Sequence, residues 1–343
     1  MVAPFSGPEH LRRAFADGLV GLLDAEGLGP YLLVLANAVF DPGVLERLRV
    51  PLRRRFEELA ERCRHALRHG HDVNEPVDDL LVFLKLITVG FDNIEPSLKR
   101  RAGRWEIQFN QVRAFRPKRI SGSHVAAMQV PFNPRGFHFN RSFLRKELFW
   151  SGRLNGLETD LFYNKFPFVE LHLLLVPNRR ANEPQFLSRP YHLYVWELTQ
   201  RLGAALPGVG FGYNSYGAFA SVNHLHFQMF VRDQPLPLAA RFWRHNGGER
   251  PYPSRCECYD SVSVAWERLD ELHREEMSYN LVYLPGRLYC LPRLRQGSYE
   301  PARWCAGQAW YEMAGGVVAF NRQDFELLDE AAIEAELQRM QPG

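Results

Sequence analysis

The fold is decided by the stretch Phe211-Gly-Tyr-Asn-Ser-Tyr-Gly-Ala-Phe-Ala-Ser-Val-Asn-His-Leu-His-Phe-Gln-Met-Phe230. From His224 onward polar and apolar residues alternate strictly, so His224, His226 and Gln228 share one face. Side chains alternate between the two faces of a β-strand, and the pattern therefore predicts a strand with one reactive face. The Gly, Ser and Asn residues before it predict a turn whose amides and hydroxyls hold phosphate oxygens.

A neutral imidazole on such a face is a competent nucleophile toward phosphorus. The free pKa of histidine is about 6.5, so much of the side chain is uncharged near neutral pH. Alternate histidines also occur on polar sheet faces that have no chemical role, and they also bind metals. The alternation alone leaves these three interpretations open.

The segment from Gly212 to Gln228 resembles the active-site strand of the GDP-hexose phosphorylases. Those enzymes are placed in the galactose-1-phosphate uridylyltransferase branch of the histidine triad (HIT) superfamily, with Gln in place of the third His. The resemblance implies an α+β fold with a HIT-like, uridylyltransferase-like antiparallel sheet and flanking helices. It also implies that the second half of the chain is a degenerate repeat of the first.

The same resemblance implies a role for each residue of the motif. His226 is expected to be the nucleophile, and His224 is expected either to orient it or to contact the loop backbone. Gln228 is expected to bond the non-bridging phosphate oxygens and, lacking a proton to give, to favour transfer to phosphate over hydrolysis. The residues expected to contact the substrate are Asn214, Ser215, Gly217, Ser221, Lys165, Arg113 and Arg116.

The activity implied is cleavage of a nucleoside diphosphate sugar, with GDP-hexose favoured, by inorganic phosphate through a covalent nucleotidyl-histidine. Phosphate is then a co-substrate, and no other cofactor is expected. Asn164-Lys165-Phe166 resembles diadenosine tetraphosphate phosphorylases, so that activity (ATP adenylyltransferase) is one alternative. A nucleotide-binding module without catalysis is another. The basic group Arg113, Arg116, Lys118 and Arg119 forms either a phosphate contact or a solvated rim, and Lys165 either steadies a phosphate or lies exposed in a loop.

Composition excludes several other classes of protein. The formal charge of +3 is too small to indicate a nucleic-acid binder. The sequence has no apolar segment of 18 residues, so no membrane span is predicted. The five scattered cysteines give no disulfide framework, which favours a cytoplasmic protein. Cys256-x-Cys258 has the wrong spacing for a usual zinc site, so no metal is expected. The sequence leaves open whether the protein forms a homo-oligomer.

Three regions follow from the patterns along the chain. Residues 1–100 are predicted to be a helical N-terminal region, 101–235 the catalytic HIT-like half and 236–343 the degenerate second half. The first region is interpreted as a helical cap on the catalytic body, with a partner-docking surface as the alternative. Further predictions are a helix over 190–205, a loop crossing the site over 241–259, a hairpin turning at Pro285-Gly286 and a closing helix over 324–340.

Overall fold

The computed structural model describes residues 4–116, 125, 127–305 and 307–342. Lys118 and Arg119 of the predicted basic group lie outside these residues. The N-terminal region is helical, as predicted, and its helices are α1 Pro8–Leu22, α2 Leu28–Phe40, α3 Pro42–Arg68 and α4 Val77–Val89. Asp41 caps α3 by accepting hydrogen bonds from the amides of Gly43 and Val44, and Pro42 occupies its first turn. Almost every residue of α2 is buried, so α2 is the helix around which the others pack.

The centre of the molecule is an eight-stranded antiparallel sheet with strand order β3-β4-β5-β7-β6-β9-β10-β8. Its strands are β3 Leu148–Leu154, β4 Leu157–Tyr163, β5 Leu173–Pro177, β6 Val209–Asn214, β7 Phe227–Val231, β8 Glu257–Tyr259, β9 Tyr279–Leu284 and β10 Arg287–Pro292. The pairing of β6 with β9 joins strands from the predicted catalytic half to strands from the predicted second half. One continuous sheet therefore underlies both, and their description as separate repeats stays a prediction.

A smaller sheet packs nearby, with the order β1 Leu98–Ala102, β2 Trp105–Phe109 and β11 Gly316–Ala319. β2 pairs antiparallel with β1 and parallel with β11, which brings the end of the chain back to its middle. The remaining helices are α5 Gln111–Ala114, α6 Arg189–Gly203, α7 Val262–Arg274, α8 Trp310–Met313, α9 Arg322–Leu327 and α10 Glu330–Arg339.

Two hydrophobic cores lie on opposite faces of the large sheet. Within β9, Leu281 and Tyr283 enter the first core, while Val282 between them enters the second. The first core also holds the apolar faces of the N-terminal helices and α6, and the second holds the small sheet and α8. Because successive side chains of a strand point to opposite faces, a sheet buried on both sides carries runs of consecutive apolar residues, as β9 does from Leu281 to Leu284.

The N-terminal helices are attached to the sheet at the end of β4. The hydroxyl of Tyr163 donates to the carbonyl of Phe15 at 2.9 Å, and the amide of Asn37 donates to the carbonyl of Asn164 at 3.0 Å. These buried contacts fix α1 and α2 against the catalytic half. The helical region thus packs on the body of the protein, which is the cap arrangement expected from the sequence.

The α+β fold, with an antiparallel sheet and flanking helices, is confirmed, but three local predictions were wrong. The strand of the decisive stretch begins at Phe227 rather than His224. Residues 241–259 do not cross the site, because their last three residues form β8 at the far edge of the sheet. The closing helix is two helices, α9 and α10, since Leu328 leaves the helical conformation and Asp329 caps the second one.

Candidate active site

A cavity of about 290 Å³ opens beside the N-terminal end of β7. Its floor contains a row of residues that face one another across three strands, Gln228 on β7, Leu174 on β5 and Phe162 on β4. Seven of the ten residues expected to form the site line this cavity. They are His226, Gln228, Asn214, Ser221, Arg113, Arg116 and Lys165.

The imidazole of His226 is held in one tautomer. Its Nδ1 lies 2.9 Å from the carbonyl oxygen of His224, and since a carbonyl only accepts, Nδ1 carries the hydrogen. The lone pair is then on Nε2. The side chain is 5% exposed, and desolvation lowers its pKa to about 4, so the ring is neutral at neutral pH. A buried neutral imidazole with an unprotonated Nε2 has the state that nucleophilic attack needs.

His224 does not line the cavity, because both nitrogens of its ring are bonded elsewhere. Its Nε2–H donates to the carbonyl of Arg179 at 3.0 Å, and its Nδ1 accepts the amide of Phe139 at 3.2 Å. Burial lowers its pKa to about 4. The ring of His224 thus holds the backbone whose carbonyl accepts the Nδ1 hydrogen of His226.

The side chain of Gln185 explains why β7 starts late. Its amide donates to the carbonyls of Asn214 and His226, at 2.9 and 3.2 Å, and its oxygen accepts the amide of His226 at 2.9 Å. The backbone pairing of β6 with β7 ends at Gly212 and Gln228. Beyond that pair, hydrogen bonds to the Gln185 side chain take the place of backbone hydrogen bonds between the two strands. Sequence analysis missed Gln185, since it lies about forty positions from the motif it holds and carries no local pattern.

Gln228 is oriented by two donors that sequence analysis did not assign to it. Its Oε1 accepts the indole N–H of Trp310 at 3.0 Å and the Nε2–H of His172 at 3.0 Å. The NH₂ group of Gln228 has no hydrogen-bond partner within the described residues and lies at the cavity. Trp310 reaches this position because residue 212 is glycine, where a Cβ atom would come within 2.2 Å of the indole. His172 is fully buried and fixes the amide orientation of Gln228.

Asn214 repeats this arrangement on the neighbouring strand. Its Oδ1 accepts the side-chain amide of Asn280 at 2.7 Å and the backbone amide of Trp310 at 2.8 Å. Its NH₂ group has no partner within the part of the chain that the structure describes. Asn280 is held in turn by the guanidinium of Arg293, at 3.3 Å. The cavity therefore has two side-chain NH₂ donors whose orientations are fixed from behind, in part by the second half of the chain.

Arg113 supplies a cation to the cavity wall. Its Nη1 donates to the carbonyl of Phe166 at 2.6 Å, and its guanidinium lies 4.9 Å from the centre of the Phe168 ring. Its Nε is buried without a partner, and the described residues place no carboxylate within salt-bridge distance of it. Desolvation lowers its pKa, with an opposing contribution from the carboxylate of Glu312. An arginine stays protonated under such conditions, so the wall presents positive charge without a bound counter-ion.

The other predicted contacts are placed as follows. Arg116 lines the cavity with its guanidinium 5.6 Å from the Phe166 ring centre, and Ser221 is exposed at the opening. Lys165 lines the cavity but donates to both carboxylate oxygens of Asp79, at 2.6 and 2.7 Å. The structure therefore gives Lys165 an ion pair with α4, where the sequence left a phosphate contact or an exposed loop residue open.

Ser215 and Gly217 do not line the cavity. The hydroxyl of Ser215 accepts the amide of Tyr279, which ties the end of β6 to β9. Gly217 has a φ of 93°, and a Cβ atom there would lie 2.7 Å from the Ser278 hydroxyl, so only glycine fits this turn. Both residues shape the chain that carries Asn214. Arg293 is buried behind Asn280, as described above, and does not reach the cavity.

The described residues contain neither a metal-binding cluster nor a membrane-spanning helix. No group of three or more His, Cys, Asp or Glu side chains is arranged to hold a metal ion in residues 4–116, 125, 127–305 and 307–342. No helix within those ranges is both long and apolar enough to cross a bilayer.

Comparison with known proteins places this site in context. Residues 102–230 match a family model described as GDPGP1-like, N-terminal domain. The chain is 32% identical over 122 residues to GDP-D-glucose phosphorylase 1 of Danio rerio, covering 35% of each protein. It is 39% identical over 75 residues to GDP-L-galactose phosphorylase 1 of Arabidopsis thaliana, covering 22% of this chain and 16% of that one. The matches thus span about a third or less of the length of these relatives.

Among solved structures, yeast Ap4A phosphorylase Apa2 is similar with a TM-score of 0.47 and 16% sequence identity, covering 78% of this chain and 96% of that one. The matched family segment begins at the end of β1 and extends to Phe230. It includes His226, Gln228, Asn214 and Arg113, which line the cavity. Residues 102–230 therefore match a GDPGP1-like N-terminal domain, and over part of its length this chain is similar to GDP-D-glucose and GDP-L-galactose phosphorylases.

Proposed function

We propose that this protein cleaves GDP-hexose with inorganic phosphate to give GDP and hexose 1-phosphate. The observation that carries the proposal is the setting of His226. A buried imidazole with its lone pair on Nε2 shares one cavity with two oriented NH₂ donors and an unpaired guanidinium. The names of the relatives supply the substrate class, and the geometry supplies a nucleophile with groups that bind phosphate oxygens.

In the first step Nε2 of His226 attacks the α-phosphorus. A bond forms between Nε2 and phosphorus while the bond from phosphorus to the bridging oxygen breaks. The electron pair leaves with that oxygen, so hexose 1-phosphate departs and GMP stays attached to His226. The positive charge that develops on the imidazole is stabilised by the carbonyl of His224, which accepts the Nδ1 hydrogen.

In the second step an oxygen of inorganic phosphate attacks the same phosphorus. The bond between phosphorus and Nε2 breaks, its electrons return to the ring, and GDP is released. Both steps place negative charge on the non-bridging oxygens, where the NH₂ groups of Gln228 and Asn214 and the guanidinium of Arg113 donate. Their orientations are set before substrate binds, which is the condition under which such donors lower a barrier most.

Gln228 also affects whether phosphate or water attacks the nucleotidyl-histidine. A glutamine amide binds phosphate oxygens but does not exchange protons near neutral pH, whereas attack by water requires a proton to be removed. Inorganic phosphate already carries a negatively charged oxygen and needs no such help. The amide at this position therefore favours phosphorolysis over hydrolysis.

All five cysteines are free thiols. This supports the further proposal that the enzyme works in the reducing cytoplasm.

The proposal is tested by supplying GDP-glucose with and without phosphate and separating GDP from GMP. We expect phosphate-dependent GDP to be the main product, and a GMP-dominated product independent of phosphate would contradict it. The same assay with UDP-glucose, ADP-glucose and diadenosine tetraphosphate separates the alternatives. If diadenosine tetraphosphate is phosphorolysed faster than GDP-glucose, it is the substrate in place of GDP-hexose. Tight binding without turnover of any compound would identify a nucleotide-binding module.

A further inference from the structure

Glu147 contributes an unpaired carboxylate to the active-site cavity. It is the last residue of the short turn Ser142–Glu147 that precedes β3, it is half-buried, and it lines the cavity. Its carboxylate has no hydrogen bond or salt bridge within the described residues. Burial raises its pKa to about 7, against a smaller opposing effect of Lys165. A charged group that forgoes such partners loses free energy unless a ligand supplies them.

Lys165, whose charge acts on the pKa of Glu147, does not form an ion pair with Glu147 because it already pairs with Asp79. Lys165 donates to both oxygens of Asp79 on α4, and the two side chains are 20% and 13% exposed. The N-terminal helical region thereby supplies Lys165 with its counter-ion. Glu147 is left as an acceptor at the cavity surface that no donor among the described residues bonds.

The position of Glu147 relative to the nucleophile follows from strand register. Gln228, Leu174, Phe162 and Leu148 lie in one row across β7, β5, β4 and β3, and Glu147 precedes Leu148. Three strand spacings separate the ends of this row, or about 14 Å. That separation is of the order that a nucleoside spans between its phosphate and the outer edge of its base.

The surface between the two ends is aromatic. The Phe139 ring lies 5.2 Å from the His226 ring and 5.6 Å from the Phe162 ring, centre to centre, and is stacked on the latter. Phe143 completes this wall at the opening, where it is 57% exposed. Exposed aromatic rings beside a cavity stack well on planar bases.

We propose that Glu147 selects guanine by accepting hydrogen bonds from N1–H and the 2-amino group of the base. The inference deepens the proposed function, on which it rests, by naming the residue that reads the base. Guanine presents two adjacent donors on this edge, which match the two oxygens of one carboxylate. Adenine presents a ring-nitrogen acceptor there, and uracil flanks its single N–H with two acceptors, so both place an acceptor against the carboxylate.

The test measures nucleotide affinity by isothermal titration calorimetry, with GDP, IDP and ADP as probes. IDP differs from GDP only in lacking the 2-amino group. We expect the wild-type protein to bind GDP roughly 10-fold or more tightly than IDP, since a donor to a carboxylate is lost. Glu147→Gln should bring the two affinities within about 3-fold of each other. The matched control Glu158→Gln alters an exposed carboxylate on β4 outside this cavity and should keep the wild-type ratio.

Equal affinities for GDP and IDP in the wild-type protein, or an unchanged ratio in Glu147→Gln, would overturn the inference. Tighter binding of ADP than of GDP would overturn it as well. Phosphorolysis of GDP-glucose, measured on the same preparations, tests the proposed function separately from base selection by Glu147. A protein that loses base selection with Glu147 but has no phosphorolysis supports the inference and contradicts the reaction. Active phosphorolysis with an unchanged GDP-to-IDP ratio contradicts the inference alone.

Discussion

The Nδ1 hydrogen of His226 is donated to the backbone carbonyl of His224, two residues earlier, over 2.9 Å. This short-range bond decides which nitrogen of the ring is free to react. It depends on an extended backbone between the two residues, and that backbone is held by Gln185 on one side and by the ring of His224 on the other. The ring of His226 is therefore oriented by backbone geometry, and no carboxylate among the described residues forms a hydrogen bond with it.

Replacing His226 with Ala should lower kcat by roughly 10³-fold or more while leaving GDP affinity within a few-fold, because the lost group is the nucleophile. Replacing it with Gly should permit partial rescue by added imidazole, which enters the vacated space. Product formation measured with and without imidazole checks both. Full activity of the alanine variant would remove His226 as the nucleophile.

The titration of His226 should differ from that of an exposed histidine. Its pKa is lowered to about 4 by desolvation, so Nε2 takes up a proton only as the pH falls toward 4. Between pH 8 and 5.5 the ring should stay neutral and keep its hydrogen on Nδ1. Nitrogen-15 NMR of labelled imidazole, assigned with His226→Asn, reports both properties. Protonation near pH 6.5, or a hydrogen on Nε2, would disagree with the structure.

Trp310→Phe should lower kcat by roughly 5- to 10-fold with a smaller change in KM, since one hydrogen bond that orients Gln228 is lost. A phenyl ring at position 310 can still stack on Phe230, so part of this packing is retained. Trp266→Phe on α7, outside the cavity, is the matched control. Equal losses of kcat in the two variants would show that the indole N–H of Trp310 has no special role.

Arg113→Gln should weaken GDP binding by roughly 10-fold or more, because a charge-assisted contact to phosphate is removed from a partly desolvated site. The change also removes a cation whose burial without an ion pair is unfavourable, so the free protein should be no less stable. Arg153→Gln, on an exposed part of β3, serves as control. Unchanged affinity together with lower stability would assign Arg113 to structure alone.

Much of the fold was predictable because its signals are local. The helices of the first region and the hairpin at Pro285-Gly286 follow from periodicity and turn residues, and both are present. The alternation from His224 to Phe230 correctly separated the two faces of the stretch, since Leu225, Phe227 and Met229 enter the first core. The start of the strand was not predictable, because a distant side chain, Gln185, takes over the backbone groups of His226.

The site was predictable only where its residues lie in one continuous motif. His226 and Gln228 are recognisable from their spacing, whereas Trp310 and Asn280 reach Gln228 and Asn214 through a packed helix and strand pairing. Glu147 is the last residue of an exposed, charged turn, and no local pattern marks it as a cavity residue. Ser215 and Gly217 show the converse, since a phosphate-type turn in sequence is used here to join two strands.

The central claim, a covalent bond from Nε2 of His226 to phosphorus, is tested most directly by intact mass spectrometry. The protein is mixed with GDP-glucose in the absence of phosphate and kept at neutral to alkaline pH, and the mass of the intact chain is measured. The account predicts a mass increase of one GMP group on the wild-type chain, absent from His226→Ala and discharged as GDP when phosphate is added. A protein that releases GDP and hexose 1-phosphate but never carries this adduct, or carries it on another residue, would contradict it.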